Sequence, residues 1–139
     1  MDRIVIDQKL ESLRRCLARI RTKLPLTSET FKTDFDVQDI ISLNLTRAVQ
    51  MAVDIGAHIV SSQQQVTPGS MGETFEQLGR LGVISSDLAV QLKKSVGFRN
   101  IAVHNYSTIN WDIVQSIVQE HLQDFDSFAK AIVHYLQEP

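Results

Sequence analysis

Apolar residues recur at steps of three and four along most of the chain. Leu10, Leu13, Leu17, Ile20 and Leu24 draw one stripe along a helix of roughly residues 3–24. Arg14, Arg15, Arg19 and Arg21 lie on its other faces. Leu24-Pro25 closes it, because the residue before a proline is biased away from helix. A connector is expected over about residues 25–35. Asp36 is then read as the N-cap of a second long helix carrying Val37, Ile41, Leu45, Ala48, Ala52, Ile55 and Ile59. Ile40, Val49, Val53 and Val60 make a second apolar face, so this helix is central or packs against another chain. It runs out in the polar stretch 61–65.

Thr67-Pro68-Gly69 marks a turn, and Ser70-Met71-Gly72-Glu73 has the form of a capping box. A short third helix with Phe75, Leu78 and Leu81 should follow and end near Gly82. Ser85 or Ser86 caps a fourth, with Leu88, Ala89, Leu92, Val96, Ile101 and Val103 as its apolar positions. Asn110 caps the last, whose inward stripe reads Ile113, Ile117, His121, Phe125, Phe128, Ile132 and Leu136. No run alternates apolar and polar long enough for a strand. The pattern predicts an all-α bundle of about five helices, four of them long.

Composition adds limits. A chain of 139 residues suits one domain, taken as 1–139. Lys plus Arg number 14 and Asp plus Glu 16, a net charge of -2, which excludes a globally basic nucleic-acid coat. The charge is uneven: Arg80, Lys93, Lys94 and Arg99 stand against Asp87 alone in residues 80–104. Cys16 is the single cysteine, so no internal disulfide forms; it is read as a small buried residue. The first residues hold no apolar run of signal-peptide length, and no stretch is apolar enough to span a membrane. A cytoplasmic protein without membrane partners is expected.

The four histidines, His58, His104, His121 and His134, form no pair at metal-ligand spacing, so no metal and no other cofactor is expected. His121 and Asp124 are one turn apart and are read as the edge of a core stripe. Asp54 precedes His58 by one turn; it either holds that histidine or reaches a site on the fourth helix. The unusual segment is Gly97-Phe98-Arg99-Asn100-Ile101-Ala102-Val103-His104-Asn105-Tyr106. Histidine exchanges a proton near neutral pH, arginine matches phosphate with a charged planar fork, and asparagine orients either. These meet the minimum for metal-free cleavage of RNA, whose 2′-hydroxyl supplies the nucleophile. Arg99 and His104 are about 140° apart around a helix, so they converge only if the arginine reaches round or the helix loosens. Taken singly, each residue also has an ordinary structural reading, with Tyr106 packing on Trp111.

Arg99-Asn100-x-x-x-His104-x-Tyr106, set after two long helices and ahead of a third, resembles the HEPN superfamily and, within it, the HepT-type toxins. Val53-Asp54-Ile55-Gly56-Ala57-His58-Ile59, Phe75-Glu76-Gln77-Leu78 and Gly82-Val83-Ile84 resemble further parts of that frame, so the likeness covers nearly the whole chain. The resemblance implies a metal-independent RNA endonuclease, the toxin of a bacterial toxin–antitoxin pair, acting as a homodimer with two motifs facing one cleft. It implies Arg99 and His104 as catalytic residues, supported by Asn100. Lys93 and Lys94 are candidate RNA-phosphate contacts. It also implies a MntA-type nucleotidyltransferase antitoxin that attaches AMP to Tyr106. No DNA partner is expected. Asn105 departs from the family pattern, where an acidic residue is expected in many relatives; this bears on antitoxin recognition. The alternative is a HEPN module that binds a nucleotide or a partner without cutting RNA.

Overall fold

A computed structural model describes residues 2–63 and 67–137. The elements are α1 (Arg3–Arg21), α2 (Ser28–Thr33), α3 (Phe35–Ser62), α4 (Met71–Arg80), α5 (Ser86–His104), a 3-10 turn (Tyr106–Thr108), α6 (Trp111–Ser116), a π-helical stretch (Ile117–His121) and α7 (Leu122–Gln137). The last three form one continuous rod. No strand occurs among the described residues, and none of their helices is long and apolar enough to cross a membrane.

Helix α3 is the axis of the bundle: α1 lies along it, and α4, α5 and α7 also contact it. Ile41, Leu45, Ala48, Val49, Ala52, Ile55, Ile59 and Val60 are all fully buried on it, so the two apolar faces are both covered within one chain. Leu10, Leu13, Leu17 and Ile20 of α1 face it, as their spacing predicts. Cys16 is buried among them, and burial pushes its thiol up.

The caps differ from expectation at one place. Asp34, not Asp36, is the N-cap of α3, its Oδ1 accepting from Val37 N at 3.1 Å. The helix starts earlier because the connector is itself helical. Thr27 caps α2, and Phe31 on it is fully buried against Trp111, with ring centroids 5.4 Å apart. Gln38 Nε2 donates to Phe31 O at 2.9 Å and Lys32 O at 3.1 Å, which locks the end of α2 onto α3. Burying one phenylalanine contributes about 2–3 kcal/mol, which together with the Thr27 cap and the Gln38 hydrogen bonds helps hold six residues that show no stripe of their own.

The other caps fall where the sequence places them. Ser70 accepts from Glu73 N, and Glu73 reaches back to Gly69 N at 2.7 Å. Gly82 has φ of 76° and ends α4 in a Schellman turn, Val83 N donating to Leu78 O at 3.0 Å. Ser85 caps α5. Asn110 caps α6.

Burial corrects two stripes. On the C-terminal rod it falls on Val114, Val118 and Leu122 rather than on Ile113, Ile117 and His121, and Ile113 is 58 % exposed. The rod turns that side toward the α2 region, where Gln115 and Gln119 both donate to Leu26 O at 3.2 Å. On α5, Ile101 and Val103 are not core; they are 44 % and 50 % exposed.

Candidate active site

The candidate residues sit where α5 ends. The core face of α5 is Ala89, Leu92, Ser95, Val96 and Phe98, which presses the helix onto the bundle and fixes its rotation. The helix stays regular through His104 and breaks at Asn105, whose φ of -154° and ψ of 64° leave the helical range. Arg99 and Asn100 therefore lie one turn before the end, His104 is the last helical residue, and Tyr106 opens the 3-10 turn. Because the helix does not loosen before Asn105, Arg99 and His104 stay on different sides of it. No hydrogen bond joins them.

Arg99 turns inward and is half-buried. Its Nη2 donates to Gln50 Oε1 at 3.3 Å and its Nη1 to Asn100 Oδ1 at 3.3 Å. Its Nε is buried without an acceptor. Both acceptors are neutral amides at the long end of hydrogen bonding, so the guanidinium is held while its charge stays unpaired. His104 is exposed at the end of the helix.

Asp54 does not serve His58. Its Oδ1 accepts from Gln50 Nε2 at 2.8 Å, and its Oδ2 accepts from Lys9 Nζ at 3.2 Å. It reaches the α5 site through Gln50.

Tyr106 donates its phenol to Asp39 Oδ1 at 2.6 Å and packs edge-on against Trp111 with centroids 5.8 Å apart. Burial, then the hydrogen bond to Asp39 and its negative charge, push the phenol up to about 12. Leu43, Val103 and Tyr106 also line a shallow apolar cleft between α3 and α5.

Lys93 and Lys94 both line a larger apolar groove between α4 and α5, and each also borders a second cleft. Lys93 pairs with Glu76 and lines a cleft of about 350 Å3 together with Ser70, Gly72, Arg99 and Asn100. Lys94 lies away from that cleft, and its second one is the groove beside His121. His121 Nδ1 and Asp124 Oδ2 are 3.1 Å apart at the edge of the core. Among the described residues, no group of three or more His, Cys, Asp or Glu side chains is placed to hold a metal ion.

Gln50, Asp39 and Lys9 carry no local signal for these roles. Each meets its partner across 45 to 67 residues of sequence, and only the packing of α1, α3 and α5 brings the pairs together.

The model of the ribonuclease HepT-like family matches residues 13–132. The chain is 42 % identical over 128 residues to the mRNA nuclease HepT of Shewanella oneidensis, covering 92 % of this chain and 96 % of that protein. It is 28 % identical to the tRNA nuclease HepT of Aphanizomenon flos-aquae, covering 96 % and 90 %. A solved structure of the tri-AMPylated Shewanella oneidensis HEPN toxin in complex with its MNT antitoxin superposes with a TM-score of 0.88 at 40 % identity, covering 96 % of this chain and 99 % of that one. With its helical frame, its motif at the end of α5 and a family match over most of its length, the chain belongs to the ribonuclease HepT-like family.

Proposed function

We propose that this chain is the toxin of a toxin–antitoxin pair and cleaves RNA internally by a metal-independent mechanism. The observation that carries the reading is Arg99: a half-buried guanidinium held only by neutral amide oxygens, one turn from an exposed His104. A cation positioned but not neutralised is what a crowded phosphate in its transition state requires. The likeness to named HepT nucleases over nearly the full chain supports the same reading.

The 2′-hydroxyl attacks the adjacent phosphorus in line. One His104 takes the proton of that hydroxyl, and an acid protonates the departing 5′-oxygen. Arg99 balances the charge on the non-bridging oxygens, and Asn100 supports it. The product is a 2′,3′-cyclic phosphate or the monoester formed by its hydrolysis. Arg99 and His104 face different sides of α5, so the cleft is completed by a second copy whose His104 takes the complementary role. The exposed Ile101 and Val103, which flank the motif, supply apolar surface for that homodimer. Lys93 lies beside Arg99 and serves a neighbouring phosphate; Lys94, which does not border the cleft that holds Arg99, is the weaker candidate.

The partner is a MntA-type nucleotidyltransferase that transfers AMP from ATP to the Tyr106 hydroxyl, the phenol giving up its proton and pyrophosphate leaving. The modification replaces the hydrogen bond to Asp39 with a phosphodiester, two residues from His104. Its charge competes with RNA for Arg99, and its bulk fills the cleft. Residues 1–139 act here as one domain.

The test is cleavage of total RNA by purified protein, with end-group analysis. Wild type yields cyclic-phosphate or phosphate ends, while Arg99→Ala and His104→Ala yield none; full activity in His104→Ala refutes the mechanism. Intact mass after incubation with the antitoxin and ATP shows gains in multiples of AMP, absent in Tyr106→Phe.

A further inference from the structure

We propose that Gln50 is a positioning residue for Arg99: its amide, fixed by the Asp54–Lys9 ion pair, orients the guanidinium through a neutral oxygen and insulates its charge from the nearby carboxylate. The proposal rests on the reading of Arg99 as the phosphate-binding cation.

Three helices meet at this relay: Lys9 comes from α1, Gln50 and Asp54 from α3, and Arg99 from α5. Gln50 and Asp54 are four apart, so they share a face of α3. An ionised carboxylate only accepts hydrogen bonds. The end of Gln50 that faces Asp54 is therefore its NH2, and Nε2 donates to Oδ1 at 2.8 Å. That choice leaves Oε1 pointing to Arg99 Nη2, at 3.3 Å. With the amide reversed, two donors would oppose each other at the guanidinium. Asp54 thus sets which way Gln50 faces, and Gln50 sets where Arg99 sits.

The relay also separates charges. A carboxylate in direct contact with Arg99 would take it in a two-pronged pair, the same geometry a phosphate needs. Here the carboxylate is one residue further back, and Lys9 Nζ offsets it at 3.2 Å in a pair whose side chains are 26 % and 30 % exposed. Arg99 meets only carbonyl oxygens, Gln50 Oε1 and Asn100 Oδ1, and keeps Nε without a protein acceptor. The guanidinium is held by one amide from α3 and one from α5, and neither neutralises it.

Two substitutions separate this from mere packing. Gln50→Glu preserves shape and the acceptor for Arg99 but adds a charge and removes the donor to Asp54; Gln50→Leu preserves volume but removes both acceptor and donor. Steady-state cleavage of a short RNA by the full chain is measured for each, with melting temperature as the folding control. Insulation predicts that Gln50→Glu is the more damaging. Its KM should rise on the order of 10- to 100-fold, because phosphate must displace a carboxylate from Arg99. Gln50→Leu should lower kcat about tenfold with KM little changed. A packing role ranks them the other way, the near-isosteric Glu being the milder, and that ranking overturns the proposal. Should Gln50→Glu fail to fold, Lys9→Met takes its place. It leaves Asp54 without its cation and should raise KM several-fold; an unchanged KM overturns the proposal. Full activity in Arg99→Ala sinks the underlying reading instead, whatever the Gln50 variants do.

Discussion

Replacing Asp39 with Asn isolates the electrostatics of the tyrosine. In the wild type the Tyr106 phenol is held at about 12, against an ordinary value of about 10. Burial is the largest cause and stays in Asp39→Asn; the hydrogen bond to a charged acceptor and the negative charge itself both go. Tyr106 should therefore titrate between those two values. The sign for stability follows. A group that holds its proton more tightly when folded stabilises fully below the unfolded value of about 10, and that stability is lost as pH rises through about 12. The size is modest. A hydrogen bond to a charged group contributes about 1.5–3 kcal/mol when shielded from water, but Tyr106 is 40 % exposed, so screening brings the loss to about 1 kcal/mol or less. That corresponds to a fall in Tm of about 3–4 °C at most. The chain has two tyrosines, so a Tyr135→Phe background leaves Tyr106 as the sole contributor to tyrosinate absorbance in an alkaline titration. An unchanged midpoint in Asp39→Asn would refute the assignment of the carboxylate as a cause of the shift.

Two further outcomes are expected. RNA cleavage should persist in excess EDTA, since the proposed steps run on Arg99, His104 and the 2′-hydroxyl; loss of activity restored by a divalent cation would count against that mechanism. Gly56→Ala should destabilise by about 1–2 kcal/mol in chemical denaturation. The new Cβ would stand 2.7 Å from Thr74 Cγ2 and 2.9 Å from Leu78 Cδ1, both in buried side chains, and overpacking of about 1–3 kcal/mol outweighs the gain of up to about 1 kcal/mol from replacing a helical glycine. A variant as stable as wild type would show that α4 moves away from α3 at little cost.

The helices were legible in the sequence because period and capping are local properties of the backbone. The stripe of α1, the two covered faces of α3, the Ser70 and Ser85 caps and the stop at Gly82 all follow from residues a turn or two apart. Helix α2 was not legible, since a single turn has no period to read; Phe31 orders it only once Trp111 is beside it. Asp34 displaced Asp36 as a cap for the same reason, the connector having folded up to it.

The candidate site divides along the same line. Arg99, Asn100, His104 and Tyr106 stand within eight residues, and the sequence alone placed them at a helix end. Their settings came from tertiary structure. Asp54 binds Gln50 and Lys9 rather than His58; Tyr106 answers to Asp39; Lys93 but not Lys94 borders the Arg99 cleft; Ile101 and Val103 face outward. Spacing along one helix says which residues share a face, but the rotation of that helix against its neighbours decides what the face meets. That rotation is set by the packing of Leu92, Val96 and Phe98 into the bundle core, a sum over partners far apart in the chain. The sequence therefore determined which groups stand ready to do chemistry, and the fold decided that Arg99 is held by neutral oxygens and keeps its charge.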